Sequence, residues 1–189
     1  VLVSVLICFV IGVPLGVIAS YNKWYRDIQN VVLDAMQTLP YFCYLIPVLM
    51  FFGGNIVSAV IATVIYSVPP IIRLTALGLS QVSGGYSEVS KSFGGTGIQT
   101  LNKVKFPLAV PSLVMGFNQT VIMAFAMQIV TPLIGGKGLG LQVFNALQRS
   151  DTGRGLSAGL AIVLLAIIID RITHAWTKKQ RQALGLDQS

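Results

Sequence analysis

Hydrophobic positions along the chain fall into five long runs, each near the ~20 residues that a membrane-crossing helix needs. They cover residues 1–20, 28–52, 56–79, 108–134 and 156–176, with polar connections between them. The pattern predicts an all-α integral membrane protein, a bundle of about five transmembrane helices forming one domain over 1–189. Pro40 and Pro47 fall inside the second run and the Pro69–Pro70 pair inside the third. Prolines there kink or break a spanning helix, a feature commoner in transporters and channels than in inert anchors. The chain opens at Val1 in mid-run with no basic leader segment. The expectation is therefore an N-terminally incomplete domain and not a signal peptide.

One polar interruption is much longer than the others, from Ser80 to Lys105. Ser87 fits the N-cap of a short helix through Glu88 to Phe93, with the Glu88 carboxylate complementing the helix N-terminus. Gly94–Gly95 ends that helix. A second amphipathic helix is expected from Gly97 to Lys105, with Ile98, Leu101, Val104 and Lys105 at helical spacing. Pro107 then opens the fourth span at a first-turn position. Two short helices hinged at a glycine form a lever, suited to touching a partner outside the bilayer.

Composition agrees with the pattern. The chain is 54% hydrophobic and 10% charged, with mean hydropathy +0.77, whereas soluble domains are about a quarter charged. The net charge of +7 would raise nucleic acid as a partner in a soluble protein, but no basic and aromatic cluster supports that. In a membrane protein such an excess marks cytoplasmic connections. Lys23 and Arg26, then Lys91, Lys103 and Lys105, then Lys178, Lys179 and Arg181 share one side, against Lys137, Arg149 and Arg154 on the other. The long loop (80–107) and the C-terminus are thus expected in the cytoplasm, and the 135–155 connection outside. That connection is glycine-rich, yet it matches no phosphate-binding pattern and reads as tight turns at the membrane edge. Cys8 and Cys43 lie in apolar runs without metal-ligand spacing, so both read as small buried hydrophobes.

Glu88, Gly94, Val104 and Pro107 give the loop a specific likeness. It resembles the EAA loop of ABC importer permeases, E-A-A, three residues, G, nine residues, I-x-L-P. The spacing fits without a gap, while Val89–Ser90 stand for Ala-Ala, Val104 for Ile and Phe106 for Leu. Further stretches resemble the glycine betaine/proline branch of that family: Asp34 to Pro40, Pro69 to Thr75, Ser92–Phe93–Gly94, Asn118–Gln119–Thr120, Gly138–Leu139–Gly140 and Ala158 to Ile167. The resemblance implies a non-enzymatic, multi-pass permease of the bacterial or archaeal cytoplasmic (inner) membrane. It would work as a homodimer with a cytoplasmic ABC ATPase dimer and an extracytoplasmic substrate-binding protein, importing betaine-type osmoprotectants by alternating access. It implies no cofactor in this chain, with ATP and magnesium in the ATPase. The residues it assigns to ATPase coupling are Glu88, Ser90, Phe93, Gly94, Val104 and Pro107. An ion-gradient-driven carrier, an ABC permease for another small solute such as an amino acid, and a non-transporting scaffold stand as alternatives.

On the fourth span, Thr120, Ala124, Met127, Gln128 and Thr131 fall within a sector of roughly 100° at helical spacing, with Asn118 and Gln119 off it. Such a sector either lines a translocation path or binds neighbouring helices, since small and polar residues serve both ends. Asp34, Arg73, Asp170, Arg171 and His174 lie in or near span ends, where a proton relay is the alternative to interfacial pairing. Tyr21, Trp24, Tyr25 and Trp176 read as an interfacial aromatic belt.

Overall fold

The computed structural model describes residues 1–183, apart from the side chains at 176, 177 and 179–183. Trp176 of the aromatic belt and the basic Lys179 and Arg181 thus lie outside the described side chains. Among the described residues the chain is helical and contains no strand. Four helical stretches are long and apolar enough to cross a bilayer, and a fifth is added if one bent pair counts as a span.

The first run forms α1 (Leu2–Tyr21). Its Ser4, Cys8, Gly12 and Gly16 recur every four residues and are buried, a small-residue stripe that lets a neighbouring backbone approach closely. That neighbour is α5 (Pro69–Gln81), which follows α4 (Ile56–Ser67) after a break at Val68. A Cβ added at Gly16 would stand 2.7 Å from the Ile72 carbonyl oxygen and 2.5 Å from Thr75 Cβ. On the other side of α5, a Cβ at Gly78 would stand 2.5 Å from Ser112 Cβ, and one at Gly116 3.2 Å from Ile71 Cα. The main core therefore lies around α5, where Cys8, Ile71, Ile72, Leu79, Ala109 and Leu113 cluster. Pro69 and Pro70 occupy the first turn of α5, where a missing N–H costs least.

The second run is not one straight span. It divides into α2 (Lys23–Thr38) and α3 (Phe42–Phe52), which meet at 96°. Pro40 disfavours a helical residue before it, and Leu39 is accordingly extended, with ψ 130°. Lys23, Arg26, Asp27 and Asp34 make α2 strongly amphipathic, the pattern of a helix lying along an interface. Across the bend the Tyr44 hydroxyl donates to the Met36 carbonyl. Tyr41 and Tyr44 pack edge-on against Tyr66, holding α3 to α4.

The polar interruption also departs from expectation. Its first helix, α6, spans Gly84–Ser92 with Ser83 as the cap, accepting from Gly85 N–H at 3.3 Å. Ser87, the expected cap, lies inside that helix. The expected second short helix is the lower end of the fourth span itself. There α7 (Gly97–Thr100), a π turn (Leu101–Lys105) and α8 (Phe106–Gln128) form one continuous stretch of 32 residues. Pro107 therefore sits in the first turn of α8 as expected, but that turn follows the π turn without a break. Its ring would collide with the carbonyl four residues back. The π turn, closed by Phe106 N–H donating to the Leu101 carbonyl, widens the backbone at that point.

After α8 comes a 3-10 turn (Thr131–Ile134), then α9 (Leu139–Gln148) and α10 (Thr152–Ala183). The 135–155 connection, expected to hold only tight turns, thus holds a ten-residue helix packed on α10 as well. Gly135 (φ +92°) and Gly138 (φ +99°) supply the left-handed positions between them. Cys8 is buried as expected, with Sγ 3.4 Å from Ser67 Oγ. Cys43 is exposed, because its face of α3 points away from the bundle. Leu6 and Val10 on α1, Met50 and Phe51 on α3, and Val163, Leu164 and Ile168 on α10 all face outward. A surface so apolar suits lipid or another apolar protein face, and water poorly.

Candidate coupling surface and candidate passage

The 83–107 segment is held in shape by local bonds. Gly94 adopts φ +77°, open to glycine and costly for other residues. Its N–H reaches the Lys91 carbonyl at 2.9 Å, and Gly95 N–H reaches the Ser90 carbonyl at 2.9 Å. This pair of bonds is a Schellman motif, which satisfies the last carbonyls of α6. Thr96 then starts α7 with a full capping box. Its hydroxyl accepts from Gln99 N–H at 3.4 Å, and the Gln99 side chain accepts from Thr96 N–H at 2.9 Å. Finally, Ser90 Oγ and the buried Thr100 Oγ1 lie 2.8 Å apart, tying α6 directly to α7.

On this frame Tyr86, Val89 and Phe93 form an apolar stripe along α6, with Phe93 89% exposed and Ile98 on α7 73% exposed. An open groove of about 480 Å³ runs beneath, lined by Tyr86, Val89, Ser90, Phe93, Gln99 and Val104 among others. Of the six residues assigned to coupling, Ser90, Phe93 and Val104 meet at this groove. Gly94 forms its corner, and Glu88 is exposed on α6 without an ion pair among the described residues. Pro107 lies above it, past the π turn. Thr96 and Thr100 were not singled out from the sequence, although Thr-x-x-Gln at 96–99 is a legible capping box.

The candidate passage is placed differently. Thr120, Ala124, Met127 and Thr131 are all buried within the chain, and Gln128 is half-buried. The helix ends at Gln128, so Thr131 comes into line through the 3-10 turn and not through helical periodicity. Gln128 Nε2 donates to the Lys137 carbonyl at 3.0 Å, and Thr131 Oγ1 donates to the Gln128 carbonyl at 3.2 Å. Both residues reach a small cavity of about 90 Å³ that Ser4, Thr63 and Lys137 also line. Met127 packs with Tyr44, Leu45, Ala62 and Ile134, and Ala124 with Val121, Phe125 and Ile162. Asn118, read as off the sector, is also buried. Its amide, Thr75 Oγ1 and Thr120 Oγ1 have no hydrogen-bond partner among the described residues.

Of the ionisable groups, Arg73 Nη2 pairs with Asp34 Oδ1 at 2.6 Å, joining α5 to α2, with 36% and 63% of the two side chains exposed. His174 lies 3.4 Å from Asp170. Both pairs are open to solvent, as interfacial groups are. Lys105 Nζ stands 5.1 Å over the Tyr21 ring, linking the π turn to the end of α1.

A bundle with broken apolar helices, small-residue packing and an ordered elbow outside it is the architecture of a multi-pass helical membrane protein. Residues 12–182 match the family described as binding-protein-dependent transport system inner membrane component, and the chain belongs to that family. It is 46% identical over 181 residues to the glycine betaine/carnitine transport permease protein GbuB of Listeria monocytogenes, covering 96% of this chain and 64% of that protein. It is 44% identical over 181 residues to the glycine betaine/proline betaine transport system permease protein ProW of Escherichia coli, covering 96% and 51%. The glycine betaine transport system permease protein OpuAB of Bacillus subtilis is 44% identical over 174 residues, covering 92% and 62%. The chain thus spans half to two-thirds of the length of these relatives. Among solved structures, the MetNI methionine ABC transporter superposes with TM-score 0.78 at 23% identity, covering 92% of this chain and 89% of that one. The fold is that of an ABC importer permease.

Proposed function

We propose that the chain is the membrane-spanning part of a permease that imports betaine-type osmoprotectants by alternating access, powered by a separate ATPase. One observation carries the coupling role: α6 holds Phe93 and Val89 out from the bundle on a rigid elbow, and such a solvent-facing aromatic is a ready anchor for a partner. In this reading α6, the π turn and the C-terminus face the cytoplasm, and α6 docks on the ATPase through Glu88, Phe93, Gly94 and Val104, while Ser90 serves coupling by holding α6 to α7. Pro107 marks where the elbow enters the span. ATP and magnesium bind the ATPase, and this chain moves its helices in response.

The cargo is supported by the printed functions of the relatives at 44–46% identity, each named for glycine betaine. A zwitterion with a bulky cationic head needs a passage of mild polarity. Thr120, Ala124, Met127, Gln128 and Thr131 carry no formal charge and are proposed to border that passage once a second copy and a substrate-binding protein complete the assembly. Outward-facing Met50 and Phe51 then meet lipid or the second copy.

The coupling role is tested by cross-linking. Phe93→Cys in the full-length permease is expected to form a cross-link with the cognate ATPase in membranes, whereas Met50→Cys, on α3, gives none. Cross-linking at Met50 and none at Phe93 would show that the ATPase docks elsewhere.

A further inference from the structure

We propose that Thr100 is a positioning residue of the coupling loop: its hydroxyl bridge to Ser90 fuses α6, the glycine corner and α7 into one rigid elbow. This rests on the coupling role proposed for α6 and adds where that lever is stiff. A two-glycine corner reads as a hinge in sequence. Here it is closed from both sides, by the Schellman bonds of Gly94 and Gly95 and by the capping box of Thr96 and Gln99.

Those bonds are local to each helix end, so they fix the corner without fixing the angle between α6 and α7. Among the described residues, only the Ser90–Thr100 contact, 2.8 Å between hydroxyl oxygens ten residues apart, ties the helix bodies together by a hydrogen bond. Thr100 Oγ1 is also 3.1 Å from the Thr96 carbonyl. A threonine hydroxyl can donate one bond and accept another, so it serves both partners at once. The side chain is buried, where an unmade hydrogen bond is costly. Gly95 permits this closeness, since a Cβ there would stand 2.6 Å from Ser90 Oγ and 2.7 Å from the Ser90 carbonyl oxygen. With the corner locked, a push on Phe93 travels through Thr100 to Leu101. The first irregular backbone it meets is the π turn at Leu101–Lys105.

The test uses the full-length permease, carrying Cys43→Ala, reconstituted in proteoliposomes with its ATPase and binding protein. The readout is solute taken up per ATP hydrolysed. Thr100→Val keeps the shape and removes the hydroxyl. It is expected to lower that ratio by about threefold to tenfold, the range that one hydrogen bond spans, with ATP hydrolysis continuing. Thr100→Ser restores the hydroxyl and is expected to recover most of the ratio. The pair Ser90→Cys with Thr100→Cys provides a covalent version. Reduced, it is expected to couple poorly; oxidised to the disulfide, it is expected to recover. An unchanged ratio in Thr100→Val, or loss of uptake on oxidation with recovery on reduction, would overturn the proposal and return the hinge to Gly94. If wild-type uptake ignores ATP altogether, the coupling role itself falls, a result visible before any variant is compared.

Discussion

Gly16 and Phe93 are opposite cases of what one side chain can do here. Gly16 has no side chain because the Ile72 carbonyl oxygen and Thr75 already fill the space where one would go. Gly16→Leu is expected to force α1 off α5, at a cost of about 1–3 kcal/mol or more, read as a lower melting temperature of the detergent-solubilised protein. Phe93 is the reverse, almost wholly exposed. Phe93→Ala is expected to leave stability within about 0.5 kcal/mol and to weaken ATPase binding by about 2 kcal/mol, as loss of an aromatic anchor does. The Arg73–Asp34 pair is short but open to solvent. Asp34→Asn is therefore expected to cost less than about 1 kcal/mol after screening, with both variants compared in the same thermal assay. Glu88, Gly94 and Phe93 were legible as residues because their spacing is a motif. Thr100 was not, since its role depends on where a corner folds Ser90 back in space.

At the scale of elements, apolar runs revealed the helices well and their junctions poorly. The first, third and fifth runs became α1, α4–α5 and α10, because length and hydropathy settle a spanning helix without knowledge of neighbours. Pro40 was visible inside the second run, but Lys23 and Arg26 were read as a connection and Asp34 as a span end, whereas all three lie on one interfacial helix, α2. In the loop, Gly84 and Gly85 are weak helix formers, which drew the expected start of α6 inward to Ser87. The π turn has no composition of its own. It arises from one lengthened hydrogen-bond ring ahead of Pro107, which pattern reading cannot see. Inserting one alanine in α8 after Leu108, past the π turn, is expected to rotate α6 and α7 by about 100° relative to the rest of α8. Membrane insertion and ATPase expression should persist, while uptake falls to background. Normal uptake in that variant would mean that the rotational register of the elbow is immaterial.

Taken whole, the molecule has a small-residue core around α5, an apolar exterior, and an elbow outside the bundle. Family and fold were legible from the sequence because the loop spacing and the apolar runs survive residue drift. The passage was less legible. A sector drawn on an ideal helix ignores the end of α8 at Gln128 and the burial of Thr120, Ala124 and Met127 against their own chain. Polar atoms without a hydrogen-bond partner among the described residues, at Thr75, Asn118 and Thr120, are not predictable from spacing because they depend on what packs opposite. The central claim is that this permease moves a betaine-type solute using ATP hydrolysed by a partner. The most direct measurement is glycine betaine uptake into proteoliposomes holding the full-length permease, its ATPase and its binding protein, with ATP or an imposed ion gradient supplied separately. Uptake that requires ATP and ignores the gradient is the predicted result. Uptake that follows the gradient and ignores ATP would contradict the account.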